Sequence, residues 1–291
     1  MRTVFLGTST FAAAILERLA ASSHPPALVV TRPDRPAGRG RRTLAPPVAD
    51  AARALGLDLD QPESVNAEEA RARIAAAAPE TVVVCAFGAL IREPLLSEHE
   101  LLNVHPSLLP RWRGAAPVER AIMAGDATTG VSIMRLTAGL DSGPVCLAGE
   151  EPIAPDDTYA TLTPRLEELG AELLLRALDE RPPFVDQPEE GVTYAEKIGP
   201  DDRMLRGADA VADERTVRAL HPHIGARAPL ADGSFLGVLR ARITDGELCS
   251  HVVAREGRLL LGALELLEVQ PPGGRPMDAA AFLRGRVLPE S

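Results

Sequence analysis

An apolar run, Val4-Phe5-Leu6, stops at Gly7; Phe11, Ile15 and Leu19 then recur at four-residue spacing, and a second run, Leu28-Val29-Val30, follows. The outer runs read as strands and the middle one as a single face of a helix. Successive strands joined through a helix lie parallel, with a right-handed crossover. The opening therefore commits the chain to a parallel sheet with helices on its faces. Further strands are expected at Thr81–Ala86, Leu101–Val104, Val131–Leu136 and Val145–Ala148, and helices at Pro46–Leu55, Ala67–Ala77, Pro117–Ala124 and Thr158–Leu178. This alternation is an α/β, Rossmann-like pattern. It is a poor dinucleotide site: Gly7-Thr-Ser-Thr-Phe11 replaces G-x-G-x-x-G, and Thr31-Arg32-Pro33 lacks the acidic residue that would hold a ribose.

With 291 residues the chain is long for one core. Its texture changes at Arg181, where Pro182, Pro183, Asp186, Gln187, Pro188 and Glu189-Glu190-Gly191 read as a linker. Beyond Asp209 a helix is expected through Leu220. Short apolar runs follow at Phe235–Ile243, Leu248–Ala254 and Leu259–Val269, with a strong turn at Pro271-Pro-Gly-Gly274. Short strands at this spacing suggest a small β-barrel. No apolar run approaches membrane-spanning length, and the amino terminus enters a strand directly, without a signal peptide's apolar stretch. Cys85, Cys146 and Cys249 are odd in number and far apart. That suits reduced thiols in a cytoplasm better than disulfides or zinc, and no metal site is expected.

A net charge of −10 argues against a globally basic nucleic-acid binder. Against it stands one island, Arg32 to Arg42, with five arginines and one aspartate. Such a cluster is either a local phosphate-binding element or a solvated surface loop.

Leu101-Leu102 leads into Asn103 and His105, whose side chains share a face if the backbone is extended. Pro106 and Pro110 then force the chain to turn. A polar pair at a strand end, fixed by such a turn, is a candidate active-site edge; a histidine before proline can equally be a structural residue.

The full string Asn103-Val-His105-Pro-Ser107-Leu-Leu-Pro110-Arg-Trp-Arg113-Gly114, with the later Gly139-Leu140-Asp141-Ser142-Gly143, resembles the signature of the folate-dependent formyltransferases. That family includes enzymes acting on methionyl-tRNA, glycinamide ribonucleotide and sugar nucleotides. The resemblance implies a formyltransferase domain over residues 1–185, a linker over 186–205 and an OB-like barrel over 206–291. It implies 10-formyltetrahydrofolate as co-substrate, with Asn103 stabilising the oxyanion, His105 moving protons, directly or through water, and Asp141 orienting the imidazole. It also implies a pterin slot lined by Ala86-Phe87-Gly88-Ala-Leu90-Ile91, with Phe87, Gly88, Leu90 and Ile91 joined by Gly139 and Leu140. Phe87 and Leu90 could equally be core, and Trp112 and Arg113 either touch substrate or order the turn.

Pro33 to Arg42 resembles the inserted loop by which methionyl-tRNA formyltransferases reach initiator tRNA, which assigns Arg35, Gly38, Arg39, Arg41 and Arg42 to phosphate contacts. Gly114-Ala-Ala-Pro117, Thr193-Tyr194-Ala195-Glu196-Lys197 and Leu266-Leu-Glu-Val-Gln-Pro271 carry the same resemblance. It implies Phe11 beside the methionyl side chain, and methionyl initiator tRNA as partner in cytoplasmic translation initiation, without a membrane. The chain departs from that pattern at Ala49, where lysine is usual, and at His221-Pro-His223-Ile-Gly225-Ala226, where Asn-Pro-Trp-Pro-Gly-Ala is usual. A sugar-nucleotide N-formyltransferase and a catalytically silent folate- or nucleic-acid-binding module stay open as alternatives.

Overall fold

The computed structural model describes residues 1–37, 42–246 and 248–284. In chain order its elements are β1 (Thr3–Gly7), α1 (Thr10–Ala20), β2 (Pro26–Val30), β3 (Arg35–Ala37), β4 (Arg42–Leu44), α2 (Pro47–Ala54), β5 (Leu59–Asp60), α3 (Glu68–Ala76), β6 (Thr81–Cys85), α4 (Leu95–Glu98), β7 (Leu101–His105), β8 (Arg113–Gly114), α5 (Pro117–Ala124), β9 (Thr128–Arg135), β10 (Val145–Pro152), α6 (Tyr159–Glu180), β11 (Tyr194–Ala195), a 3-10 turn (Asp201–Arg203), α7 (Ala210–Leu220), β12 (Ala226–Pro229), β13 (Phe235–Ile243), β14 (Val253–Arg255), β15 (Arg258–Leu261), β16 (Leu264–Gln270), β17 (Met277–Asp278) and α8 (Ala279–Arg284). They form two compact units.

The first unit comprises Met1–Ala115, Thr128–Pro152 and Thr163–Ala195. Its seven-stranded sheet runs β10-β9-β7-β6-β1-β2-β5. The five strands from β7 to β5 are parallel, as the opening pattern requires. Strand alternation sorts their side chains between two faces. Val4, Leu6, Leu28, Val30, Val82, Val84 and Leu101 share one core cluster with Ile74 of α3 and Leu95 of α4. On the opposite face α6 lies so close that a side-chain carbon at Gly170 would touch Val104 and Val131 of the sheet and Ile15 of α1. Helix α1 begins where Ser9 caps it by accepting from the Ala12 N–H.

The sheet is mixed, not wholly parallel: β9 runs antiparallel to β7, and β10 antiparallel to β9. Only residues 136–144 join β9 to β10, too few for the crossover that a parallel pair needs. The basic island, expected as a loop, enters and leaves as an antiparallel hairpin in which Arg35 pairs with Leu44 and Ala37 with Arg42. Gly38, Arg39 and Arg41 lie outside the described residues.

The second unit takes Ala116–Ala127, Ile153–Leu162 and the chain from Glu196 onward. Its antiparallel sheet runs β12-β13-β16-β15-β14, with β17 on β16. The Val252 N–H donates to the Pro229 carbonyl (2.9 Å), linking the β14 end of this order back to β12. Ala226, Ala228, Leu236, Val238, Leu259, Leu261, Leu264 and Leu266 alternate inward to fill the resulting OB-like barrel. The run expected as one strand, Leu259–Val269, is a hairpin broken at Gly262, whose φ of 59° suits a tight turn. Helix α5 packs against α7. Arg120 of α5 donates two hydrogen bonds to Asp202 (2.8 and 3.0 Å) and thereby holds that carboxyl below the usual carboxylate range. At the sequence departure His223, the imidazole stacks on Tyr159 with centroids 3.7 Å apart, and its Nε2 lies 2.9 Å from Glu119. Ala49 is fully buried in α2.

Residues 186–205 divide between the units: Gln187 and β11 belong to the first, the 3-10 turn to the second.

Candidate active site

In open α/β sheets, ligands bind beyond the carboxyl ends of the strands, where the strand order reverses. Here it reverses between β1 and β6: the chain moves outward through β2 and β5, then returns to the other side of β1 with β6 and β7. Asn103 and His105 stand at the carboxyl end of β7, two residues apart and on one face, as their spacing predicts. Both are buried, at 8% and 4% exposure.

Proline at 106 ends the strand, and the turn behind it is pinned from β9. Ser132 Oγ donates to the Ser107 carbonyl and accepts from the Leu109 N–H, while Ser107 Oγ donates to the Arg111 carbonyl. The turn brings the Trp112 carbonyl to 2.9 Å from His105 Nε2. A carbonyl only accepts, so Nε2 carries the proton. Nδ1 is then the atom left to take or give one. It lies 3.7 Å from Asp141 Oδ2, an ion-pair distance for a protonated ring, longer than a hydrogen bond. The Asn103 side chain, on the same strand face, carries an amide that supplies two N–H donors.

Asp141 reaches this place by an indirect path. Arg135 of β9 lies opposite Leu102 and Ser132 opposite His105, so the chain leaves β9 at the amino end of β7. The 136–144 loop must run back along β7 to bring Asp141 to His105. Asp141 takes a left-handed backbone, φ 43°, an uncommon conformation that aspartate tolerates better than most residues. Its Oδ2 accepts from the Gly114 N–H at 2.8 Å. At Gly143 a side chain would collide with the Arg135 carbonyl, so the loop closes only with glycine there.

The expected pterin segment follows β6. Ala86 (φ 40°) and Gly88 (φ 70°) are left-handed, and three side chains hold the loop from outside. Thr8 Oγ donates to the Phe87 carbonyl (2.7 Å), Arg32 to that of Gly88 (3.1 Å) and Asn66 to that of Leu90 (2.8 Å). With these carbonyls occupied, a ring here would be read by the loop's N–H groups and its remaining carbonyls. The side chains divide: Phe87 and Ile91 are core, Leu90 is 65% exposed. Leu140 is 61% exposed beside Gly139. Phe11 is buried in the first turn of α1, and Arg35 is exposed in β3.

Trp112 and Arg113 order the turn. The Trp112 N–H donates to Thr193 Oγ (2.9 Å), and β8 pairs with β11. Arg113 donates to Gln187 Oε1 through Nε (3.0 Å) and Nη2 (2.7 Å). Gln187 in turn donates from Nε2 to the carbonyls of Asp141 (2.8 Å) and Gly143 (2.7 Å). Sequence reasoning missed Gln187, since a lone glutamine between Asp186 and Pro188 in a Pro- and Glu-rich stretch carries no periodicity.

Three comparisons bear on this geometry. A formyl transferase family profile matches residues 1–178. The methionyl-tRNA formyltransferase of Dechloromonas aromatica is 42% identical over 298 residues, covering 99% of this chain and 97% of the relative. That of Dinoroseobacter shibae is 43% identical over 297 residues, covering 99% of each. Among solved structures, HypX from Aquifex aeolicus in complex with tetrahydrofolic acid superposes with a TM-score of 0.66 at 19% identity, covering 97% of this chain; this chain spans about half of that one, 47%. An N-formyltransferase from Helicobacter canadensis in complex with folinic acid and dTDP-3-aminofucose gives 0.64 at 13% identity, covering 90% of this chain and 97% of that one. At such identities the likeness to the solved structures is one of fold.

Proposed function

The chain belongs to the formyl transferase family, and from that membership we infer that it transfers the formyl group of 10-formyltetrahydrofolate to the amino group of methionyl initiator tRNA. The observation that carries the chemistry is the placing of a buried amide and an imidazole on one strand face, with a carboxylate 3.7 Å from the imidazole Nδ1.

When bound, the folate supplies an activated formyl carbon and a nitrogen that leaves it. As the amine adds, the formyl oxygen gains negative charge; the Asn103 amide is the donor placed to receive it, a contribution worth about 3–4 kcal/mol in comparable sites. The amine must lose a proton and the departing nitrogen must gain one. His105 Nδ1 serves both needs, typically worth roughly 10²–10⁴-fold. Asp141 favours the transient imidazolium, and the Trp112 carbonyl fixes ring orientation from the other side. The fit to a folate is supported by the loop at 86–91, whose left-handed residues bring its backbone to the β1/β6 switch point.

For the acceptor, the support is the near-full-length likeness to methionyl-tRNA formyltransferases and the arginine-rich sequence after β2. We place phosphate contacts on Arg35, Arg39, Arg41 and Arg42, with Gly38 allowing close backbone approach, and the methionyl side chain near Phe11. We likewise take residues 1–185 as the catalytic part, 186–205 as the connection and 206–291 as the OB-like part. Among the described residues no helix is long and apolar enough to cross a membrane, and we assign the reaction to the cytoplasm. The test offers charged initiator tRNA beside an amino-sugar nucleotide, each with 10-formyltetrahydrofolate. Formylation of the sugar alone would overturn the acceptor assignment, and no product from either would overturn the reaction.

A further inference from the structure

We propose that Gln187 is a positioning residue for this reaction, acting through Asp141. The proposal rests on the formyl-transfer reading above. The 136–144 loop leaves β9 at the wrong end of β7 and must be held back across that strand for its carboxylate to meet His105. Two groups hold the loop close to Asp141. The Gly114 N–H fixes the carboxylate itself, and the Gln187 amide fixes the backbone on both sides of Ser142, donating to the Asp141 and Gly143 carbonyls at 2.8 and 2.7 Å. A single planar NH2 group supplies both bonds, so the spacing of the two carbonyls is set by the glutamine.

Gln187 is itself held. Arg113 grips its oxygen with two donors, which forces the NH2 end toward the loop and excludes the flipped amide. Val185, two residues earlier, exchanges both backbone hydrogen bonds with Val145 (2.9 Å each), and the Arg135 guanidinium covers the Phe184 ring at 4.1 Å. The segment is therefore fixed to β10 and to the end of β9, on either side of the loop that Gln187 ties down. Arg113 belongs to the same strip of chain, β8, that presents the Gly114 N–H to Asp141. Gln187 thus ties together the two pieces of backbone whose relative position sets the Asp141–His105 distance.

Gln187→Met keeps the length of the side chain and removes both donors and the acceptor. Gln187→Glu keeps an oxygen for Arg113 and sets a second carboxylate oxygen, which cannot donate and is repelled, against the two carbonyls. If Gln187 acts through Asp141, each variant lowers the single-turnover formylation rate by about 10–100-fold, yet by less than about 2-fold when Asp141 is already asparagine, since residues of one chain of contacts are non-additive. KM for methionyl-tRNA stays near that of the wild type in both. Should Gln187→Met melt well below the wild type, Gln187→Glu carries the test. Additive losses in the Asp141→Asn background overturn the proposal, as does a Gln187→Glu variant as fast as the wild type. A wild type that forms no formyl-methionyl-tRNA would sink the functional reading instead.

Discussion

At the scale of single residues, three groups share one small volume without sharing one role. Asn103→Ala removes the amide proposed to stabilise the oxygen, and His105→Ala removes the imidazole proposed to carry the proton. Each is expected to lower the single-turnover rate by at least about 10²-fold with folding intact. Asp141→Asn keeps the shape and the bond from the Gly114 N–H but loses the charge facing Nδ1, and is expected to be milder than the loss of His105. Rapid-quench formylation with circular dichroism on each variant decides this, and a His105→Ala enzyme at wild-type speed would end the proposed mechanism. Asn103 and His105 were legible because a two-residue spacing on a strand is a local property. Asp141 was reached only through resemblance, because its approach depends on a loop folding back along another strand. Gln187 was invisible, being defined by what it touches.

Among the elements, α6 carries a titration of its own. Burial, aided by the negative charge of Glu17, pushes the Glu167 carboxyl up to about 7 from an ordinary 4.5. The folded state then holds a proton that the unfolded chain releases. The penalty is absent below pH 4.5, grows as pH rises, and is complete above about 7. Stability falls across that window, and Glu167→Gln should remove the fall. For a half-buried group screened by solvent the gain is on the order of 1–2 kcal/mol at pH 8 and close to nothing at pH 4.5. Urea titrations at both values test it, and equal gains at both would refute it. The hairpin of β3 and β4 supports a second expectation. Neutralising Arg39, Arg41 and Arg42 should spare folate binding and flatten the logarithmic salt dependence of tRNA affinity by about 0.7–0.9 per lost phosphate contact. An unchanged slope would reduce the island to a solvated loop. Most long elements were legible within a residue or two, since each carries its own period. The β15–β16 break was not, because apolar residues occupy both arms and only Gly262 marks the turn.

For the whole molecule, the order of the chain and the order of its units disagree. Composition suggests a part that ends near Arg181 and another that begins after it. Instead the second unit recruits Ala116–Ala127 and Ile153–Leu162 from the middle of the first. Helix α5 looked like one more crossover helix, and its actual neighbour, α7, lies far along the chain. A fragment ending at Ala195 would leave α5, with Val118, Ala121 and Ile122, without α7. Exposing one such aliphatic side chain costs roughly 1.5–3 kcal/mol, set against a total stability of about 5–15 kcal/mol. The fragment is expected to melt lower than the full chain and to aggregate, measured by calorimetry and light scattering; a fragment as stable as the whole would show the parts to be independent. The same arrangement governs how the protein is made. Ribosomes lengthen a chain by about 5–20 residues each second, so roughly 5–20 seconds separate the synthesis of α5 from that of α7. Throughout that interval the apolar side chains of the α5 segment wait in the nascent chain for a partner not yet translated, and a chaperone that shields them would be serving an enzyme whose own product starts the next chain.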